Sequence, residues 1–376
     1  MRADTGSRSC TYVSLTTDTL IAAYTKDAAD RLAVINVKSN SWTDPQFPLV
    51  EIRNNAIRRV SDTNFVVIGS TSTAPTALYQ LDITNPSKVK TLKTSMEVNI
   101  PSSLYSEAEH ISFPRVYGED KDGEGHALFL PPKNPEYQAV AGKRPPLIVY
   151  IHGGPTGHEG PGLSLFRQYY TSRGYAFVAV NYAGSTGYGR AYRDRLYGTW
   201  GVSDVADAAS CVAHLASASL IDRSHVGITG GSAGGYAVLQ SLCVYPDVWA
   251  GGVSLYGISD CKALIEETHK FESRYIGNLL CDDKLSTEEK EKIYRDRSPL
   301  YHADNISAAV LLLQGSEDKI VPPNQAWDIE MAIKKNGGEA KVIIFDGEGH
   351  GFIQGKNVKT AVEEEEKWWV KTLLSS

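Results

Sequence analysis

Two rhythms of hydrophobic and polar positions divide this chain. From Thr11 to about Tyr105 the apolar runs are short and β-rich: Leu20–Tyr24, Leu32–Val37, Phe65–Ile68 and Ala77–Ile83. Each is bounded by Asp, Asn, Ser, Thr or Pro, which predicts strands separated by turns. A unit of turn, strand, turn and strand ending in Asn or Asp occurs twice, around Ile35-Asn36-Val37 and Leu81-Asp82-Ile83. This is a weak internal repeat near the ~40–50-residue period of propeller blades. About two blades fit before residue 105, short of the ~4–8 that close a ring. A small antiparallel β domain is the alternative reading.

From about Ile111 the rhythm changes. Glu124–Leu130 predicts an antiparallel strand at a sheet edge. After the polar, Pro-containing segment Pro131–Pro146 come six apolar strands: Leu147–Ile151, Tyr175–Asn181, His225–Thr229, Gly252–Tyr256, Ala309–Leu313 and Lys341–Phe345. Unbroken apolar runs of this length fit parallel strands buried on both faces. Helical spacing appears between and after them, over Asp204–Ala216 and Val358–Leu373. The acidic run Glu363–Glu366 is expected on the solvated side of the last helix. The predicted fold class is α/β: a mostly parallel, doubly wound sheet over 111–376, preceded by an incomplete β-propeller-like all-β region over 1–110.

Composition narrows the function classes. The chain has 376 residues, 42% apolar and 22% charged, and a net charge of −6. That balance offers no broad basic surface for nucleic acid. No apolar stretch approaches ~18 residues, so no membrane span is expected. The segment Met1–Cys10 is polar, without an apolar signal region. Five cysteines without C-x-x-C spacing favour reduced thiols over a disulfide framework or a zinc site. A cytoplasmic protein is the expectation.

The chemistry concentrates at three points. Gly230-Gly231-Ser232-Ala233-Gly234-Gly235 reads G-x-S-x-G between a predicted strand and a helical stretch. A strand–turn–helix context pushes the serine out of the sheet, and its neighbours must be small. Gly315-Ser316-Glu317-Asp318 follows the strand Ala309–Leu313, and Gly349-His350-Gly351 follows Lys341–Phe345. Nucleophile, acid and histidine in that chain order is the α/β-hydrolase arrangement. All three sit after the C-terminal ends of parallel strands, where open α/β sheets place their sites. A serine hydroxyl needs an imidazole to take its proton, and the imidazole needs a carboxylate to fix its tautomer. Ser232 is therefore the expected nucleophile, His350 the base and Asp318 the orienting acid. Asp222, Asp260 and Asp346 are rivals for the last role. Oxyanion donors are expected from the Ala233 N–H and, in the loop His152-Gly153-Gly154-Pro155, from the Gly154 N–H. His152 is read as a buried, hydrogen-bonded residue shaping that loop, with direct catalysis as the alternative. Gly184-Ser185-Thr186-Gly187-Tyr188-Gly189 is a poor nucleotide fingerprint, since Tyr188 would crowd a pyrophosphate. No metal and no cofactor are expected.

Five motifs in order then carry a resemblance: His152-Gly153-Gly154-Pro155, Asn181-Tyr182-Ala183-Gly184-Ser185-Thr186-Gly187-Tyr188-Gly189, the Ser232 elbow, Glu317-Asp318-Lys319-Ile320-Val321-Pro322 and Gly349-His350-Gly351-Phe352. From about Ile111 onward the chain resembles the prolyl oligopeptidase family, nearest its acylaminoacyl-peptidase and dipeptidyl-peptidase-like branch. The resemblance implies serine peptidase activity on short peptides, with a propeller restricting access. It also implies that Tyr256, Phe271 and Val321 line an apolar specificity pocket, against the alternative of ordinary core packing. Some members of the family use a tyrosine hydroxyl as oxyanion donor where His152 stands. The HGGP form resembles members with backbone donors.

The expected function is hydrolysis of short peptides or N-acylated amino acids through Ser232. An esterase, amidase or thioesterase acting on a small metabolite is the alternative, and a non-catalytic interaction protein a third reading. The expected partners are a short peptide or a small acyl or ester substrate. The open edges of an incomplete propeller make a homo-oligomer a further expectation.

Overall fold

The computed structural model describes residues 11–118, 121, 123–267, 273–282 and 284–375. Its first part is all β. Strands β1 (Tyr12–Ser14), β2 (Thr19–Lys26), β3 (Ala29–Asn36) and β4 (Ser41–Thr43) form one four-stranded antiparallel sheet in chain order. Strands β5 (Glu51–Arg59), β6 (Asn64–Ser70), β7 (Ala77–Asp82) and β8 (Lys90–Thr94) form a second. One core serves both, built from Ile21 and Leu32 of the first, Leu15 in the turn between β1 and β2, and Ile57, Phe65, Val67, Tyr79 and Leu81 of the second. In β7 the buried positions are Ala77, Tyr79 and Leu81, the period of two that a half-buried strand requires. Strands β4 and β8 are exposed along their whole length. The two lysines of β8 suit an outer strand that must not pair with another chain.

The second part is built on one eight-stranded sheet. Its strands are β9 (Glu109–Pro114), β10 (Glu124–Leu130), β11 (Leu147–Ile151), β12 (Ala176–Asn181), β13 (Val226–Gly231), β14 (Gly251–Leu255), β15 (Ala309–Gly315) and β16 (Ala340–Phe345). The spatial order is β16-β15-β14-β13-β11-β12-β10-β9. Strands β11 to β16 are mutually parallel, while β10 runs antiparallel to both β12 and β9. From β11 the chain moves one place outward to β12, then crosses back to β13 on the other side. The order reverses there, and a crevice opens beyond the strand ends.

Side chains of one strand divide between two cores. Leu147, Val149 and Ile151 of β11 join the helices Ser203–Ser217 and Ala233–Val244 on one face. Ile148 joins Tyr170, Trp368 and Trp369 on the other. This double burial is why these strands read as unbroken apolar runs. The predicted helices also form, as Ser203–Ser217 and as Gly355–Trp369, the latter continuing in a widened turn over Val370–Leu374.

One expectation is corrected here. Glu363–Glu366 is not wholly solvated. Ala361, Glu365, Trp368 and Trp369 are the buried positions of the last helix, so its inward stripe takes Glu365 with it. Glu365 is buried and accepts a hydrogen bond from Trp369 Nε1 at 3.3 Å. Its neighbour Glu364 pairs instead with Lys341 and Lys367, and Glu366 with Arg173. Burial pushes the Glu365 carboxyl up to about 7, against its bonds to Thr229 and Trp369. Between the ordinary carboxyl value and about 7 the folded chain holds a proton that the unfolded chain has lost. Stability therefore falls as pH rises through that window. Glu365→Gln removes the effect. The melting temperature of the variant should gain on the wild type from pH 5 to pH 8, by the equivalent of up to about 3 kcal/mol. A gap that stays constant across that range would contradict the burial of an ionisable Glu365.

Candidate active site

The expected nucleophile, Ser232, sits on a strained turn. Strand β13 ends at Gly231, Ser232 takes φ 59° and ψ −122°, and the helix begins at Ala233. A non-glycine residue at positive φ persists only where the surroundings enforce it. They do so through close packing: a Cβ on Gly234 would overlap the carbonyl oxygen of Ile151, at the end of β11. Gly235 is pressed in the same way against Gly257 and Leu255. The turn thus projects Ser232 into the crevice next to the topological reversal.

The three predicted residues meet there. His350 Nε2 lies 2.8 Å from Ser232 Oγ, and His350 Nδ1 lies 2.8 Å from Asp318 Oδ2. A carboxylate only accepts, so Nδ1 carries the proton and Nε2 offers its lone pair to the serine hydroxyl. The other oxygen, Asp318 Oδ1, accepts the N–H groups of Ile320 at 2.9 Å and Val321 at 3.0 Å. Gln314 Nε2 donates to Oδ2 at 3.2 Å. Burial alone would push the Asp318 carboxyl up. The bonds from His350, Val321 and Ile320 outweigh that and hold it below the ordinary carboxylate range.

The rival acids are occupied elsewhere. Asp260 accepts the N–H groups of Lys262 and Ala263 and the Tyr301 hydroxyl. Asp222 pairs with His225, and Asp346 is exposed in its turn.

The HGGP loop lies against the elbow, with Gly153 packed on the Gly231 carbonyl and the Ser232 Cβ. Gly154 has φ 121°, and Ala233 opens the helix beside Ser232. His152 braces this loop from within. It is buried, stacks on Tyr182 at 4.3 Å, and makes two hydrogen bonds. Its Nδ1 donates to the Gly153 carbonyl at 2.9 Å, so its Nε2 accepts from Ser185 Oγ at 2.7 Å. Burial pulls His152 down to about 4 against the Gly153 bond, leaving a neutral ring at neutral pH. The segment after β12 holds the same loop: Tyr182 Oη donates to the carbonyls of His152 and Pro155, and Asn181 clamps the Glu159 backbone from both sides. Ser185 and Thr186 of the Gly184–Gly189 segment thus belong to a brace.

The candidate pocket residues divide. Tyr256, at φ 40°, places its ring 4.9 Å from His350 and 5.5 Å from Phe352. Val321 is buried in the main core, and its backbone serves Asp318 and Gln314. Phe271 lies outside the described residues. Sequence reading missed Gln314 and Glu348. Gln314 had a signal, a lone amide at the end of an otherwise apolar strand. A cavity of about 890 Å³ between Leu104, Tyr137, Pro146 and Arg173 contains none of the triad. Among the described residues no group of three or more His, Cys, Asp or Glu lies close enough together to hold a metal ion. None of their helices is long and apolar enough to cross a membrane.

Residues 161–376, more than half of the chain, match the model of the prolyl oligopeptidase family. The chain belongs to that family. Its relatives include dipeptidyl aminopeptidase BIII of Pseudoxanthomonas mexicana, 26% identical over 317 residues that make up 80% of this chain and 43% of the relative. Dipeptidyl peptidase family member 6 of Caenorhabditis elegans is 30% identical over 247 residues, 61% of this chain and 33% of that one. Among solved structures, a Mycobacterium tuberculosis puromycin-hydrolyzing peptidase superposes with a TM-score of 0.89 at 34% identity, over 97% of this chain and 54% of that one. The chain thus spans less than half the length of these two curated prolyl oligopeptidase relatives, and about half of the solved one.

Proposed function

We propose that this chain is a serine peptidase that cleaves short peptides or N-acylated amino acids by acyl transfer through Ser232. The observation that carries the reading is His350, bonded at 2.8 Å to Ser232 on one side and to Asp318 on the other. In the first half-reaction His350 Nε2 takes the Ser232 proton as Oγ attacks the substrate carbonyl carbon. The N–H groups of Ala233 and Gly154 receive the oxyanion. His350 then gives its proton to the leaving amine, the C–N bond breaks and an acyl-serine remains. In the second half a water loses its proton to His350 and attacks the same carbon. The acid departs and the proton returns to Ser232. Asp318 holds the imidazole in the tautomer both halves need. Tyr256, beside His350, forms part of the wall for the substrate side chain.

In this reading residues 111–376 are the catalytic domain and residues 1–110 an incomplete propeller. The test is a panel of dipeptidyl, acyl-aminoacyl and simple ester substrates. The expected result is cleavage of the amide substrates. Turnover of esters alone would favour an esterase.

A further inference from the structure

Glu348 is fully buried two residues before the histidine of the triad, and the proposed reaction gives it no task. It touches three pieces of chain at once. Its carbonyl oxygen accepts the Glu317 N–H at 2.9 Å, tying the histidine loop to the residue next to Asp318. Its Oε2 accepts the Ile353 N–H at 3.0 Å. Its Oε1 accepts the Gln354 N–H at 2.9 Å and Asn357 Nδ2 at 2.8 Å. Ile353 and Gln354 lie beyond His350, so the carboxylate closes the loop across its base. Within the loop, the Gly351 N–H donates to the Gly349 carbonyl at 3.0 Å, which makes His350 the apex of a tight turn. On the other side, Gly315 at the end of β15 lies directly against the carbonyl oxygens of Glu348 and Gly349, where any side chain would clash.

We infer that Glu348 is a positioning residue for His350: its carboxylate locks the two limbs of the histidine loop to each other, while its main-chain carbonyl ties that loop to the acid loop. A carboxylate suits the place. It is acceptor-only and meets three donors, two of them main-chain N–H groups at the start of the helix Gly355–Trp369, where the helix dipole favours negative charge. Its pKa agrees. Burial pushes it up, but the bonds from Ile353, Asn357 and Gln354 outweigh that and hold it below the ordinary range. The effect on the triad follows from reach, because a proton passes between His350 and Ser232 only across a hydrogen bond. A loop free to shift by 1 Å loses that contact for much of the time.

This inference rests on the serine peptidase reading, and its test separates the two. Glu348→Gln keeps the size of the side chain but turns one acceptor into a donor, which must face an N–H group. The folded variant should react with a fluorophosphonate at least tenfold more slowly than wild type, with KM for a peptide substrate unchanged. The low-field proton resonance of the His350–Asp318 hydrogen bond should broaden or vanish. Asn357→Ala removes one donor and leaves the main-chain bonds. It should cost a smaller, several-fold loss and decides the matter if Glu348→Gln does not fold. A role limited to anchoring the last helix would lower the melting temperature but leave the labelling rate and the resonance as in wild type. That result, in either variant that folds, overturns the inference. Failure of wild type itself to label would count against the peptidase reading, while the resonance would still report on Glu348.

Discussion

Ser232→Ala should lower turnover by about 10⁶-fold, the scale seen when a triad nucleophile is removed, while leaving the protein folded. The size of the loss follows from what remains. The oxyanion donors and the substrate-binding surface persist, but no atom is left to form the acyl intermediate. Residual hydrolysis must use water directly and should stand only ~10³–10⁴ above the uncatalysed rate. The fold should survive because the strain of the elbow is already borne by a residue with a Cβ at φ 59°. Alanine has the same Cβ, and the lost hydroxyl forfeits one partly exposed hydrogen bond, about 1 kcal/mol. The measurement is turnover of the best substrate beside circular dichroism and the melting temperature. A variant within tenfold of wild type would place the nucleophile elsewhere.

Asp318→Asn should cost about 10⁴ in turnover with little change in KM. The bonding around the carboxylate explains why so small a change is so damaging. Oδ1 accepts two main-chain N–H groups, from Ile320 and Val321. The asparagine oxygen must stay there, because an amide nitrogen at that point would face two donors. The NH₂ group is then turned toward His350 Nδ1. To accept from it, His350 must move its own proton to Nε2, where it points at Ser232 and cannot serve as a base. The NH₂ also meets the Gln314 amide, a second donor. The loss should therefore appear in the acylation step, with structure and substrate binding nearly intact. Asp260→Asn and Asp346→Asn should leave turnover within a few-fold of wild type. Reversal of that ranking would give the orienting role to one of them.

Much of this site could be read from the sequence because each part leaves a local mark. The strand before Ser232, the glycines around it and the order of acid and histidine are all consecutive residues, and buried parallel strands advertise themselves by unbroken apolar runs. What escaped was set by tertiary contact. Strands β4 and β8 have no buried face, so no alternation betrays them. Strand β5 reads EIRNNAIRR, yet it is held by pairing with β6 and by Ile57 in the shared core. Glu365 looks like one acid in a solvated run, and only the two tryptophans beyond it place it on the inward stripe. Glu348 was hidden for a related reason. Its partners lie five to nine residues on, across a loop whose course no periodicity describes. The Gly184–Gly189 segment reads as a poor nucleotide fingerprint, but nothing local shows that its serine and the preceding Tyr182 serve the HGGP loop.

The central claim, that Ser232 is a nucleophile activated by His350, is tested most directly by reaction with a fluorophosphonate followed by mass mapping of the adduct. The account predicts one adduct per chain, located on Ser232, formed slowly in Asp318→Asn and absent in Ser232→Ala. An unmodified wild type, or an adduct that persists in Ser232→Ala, would contradict it.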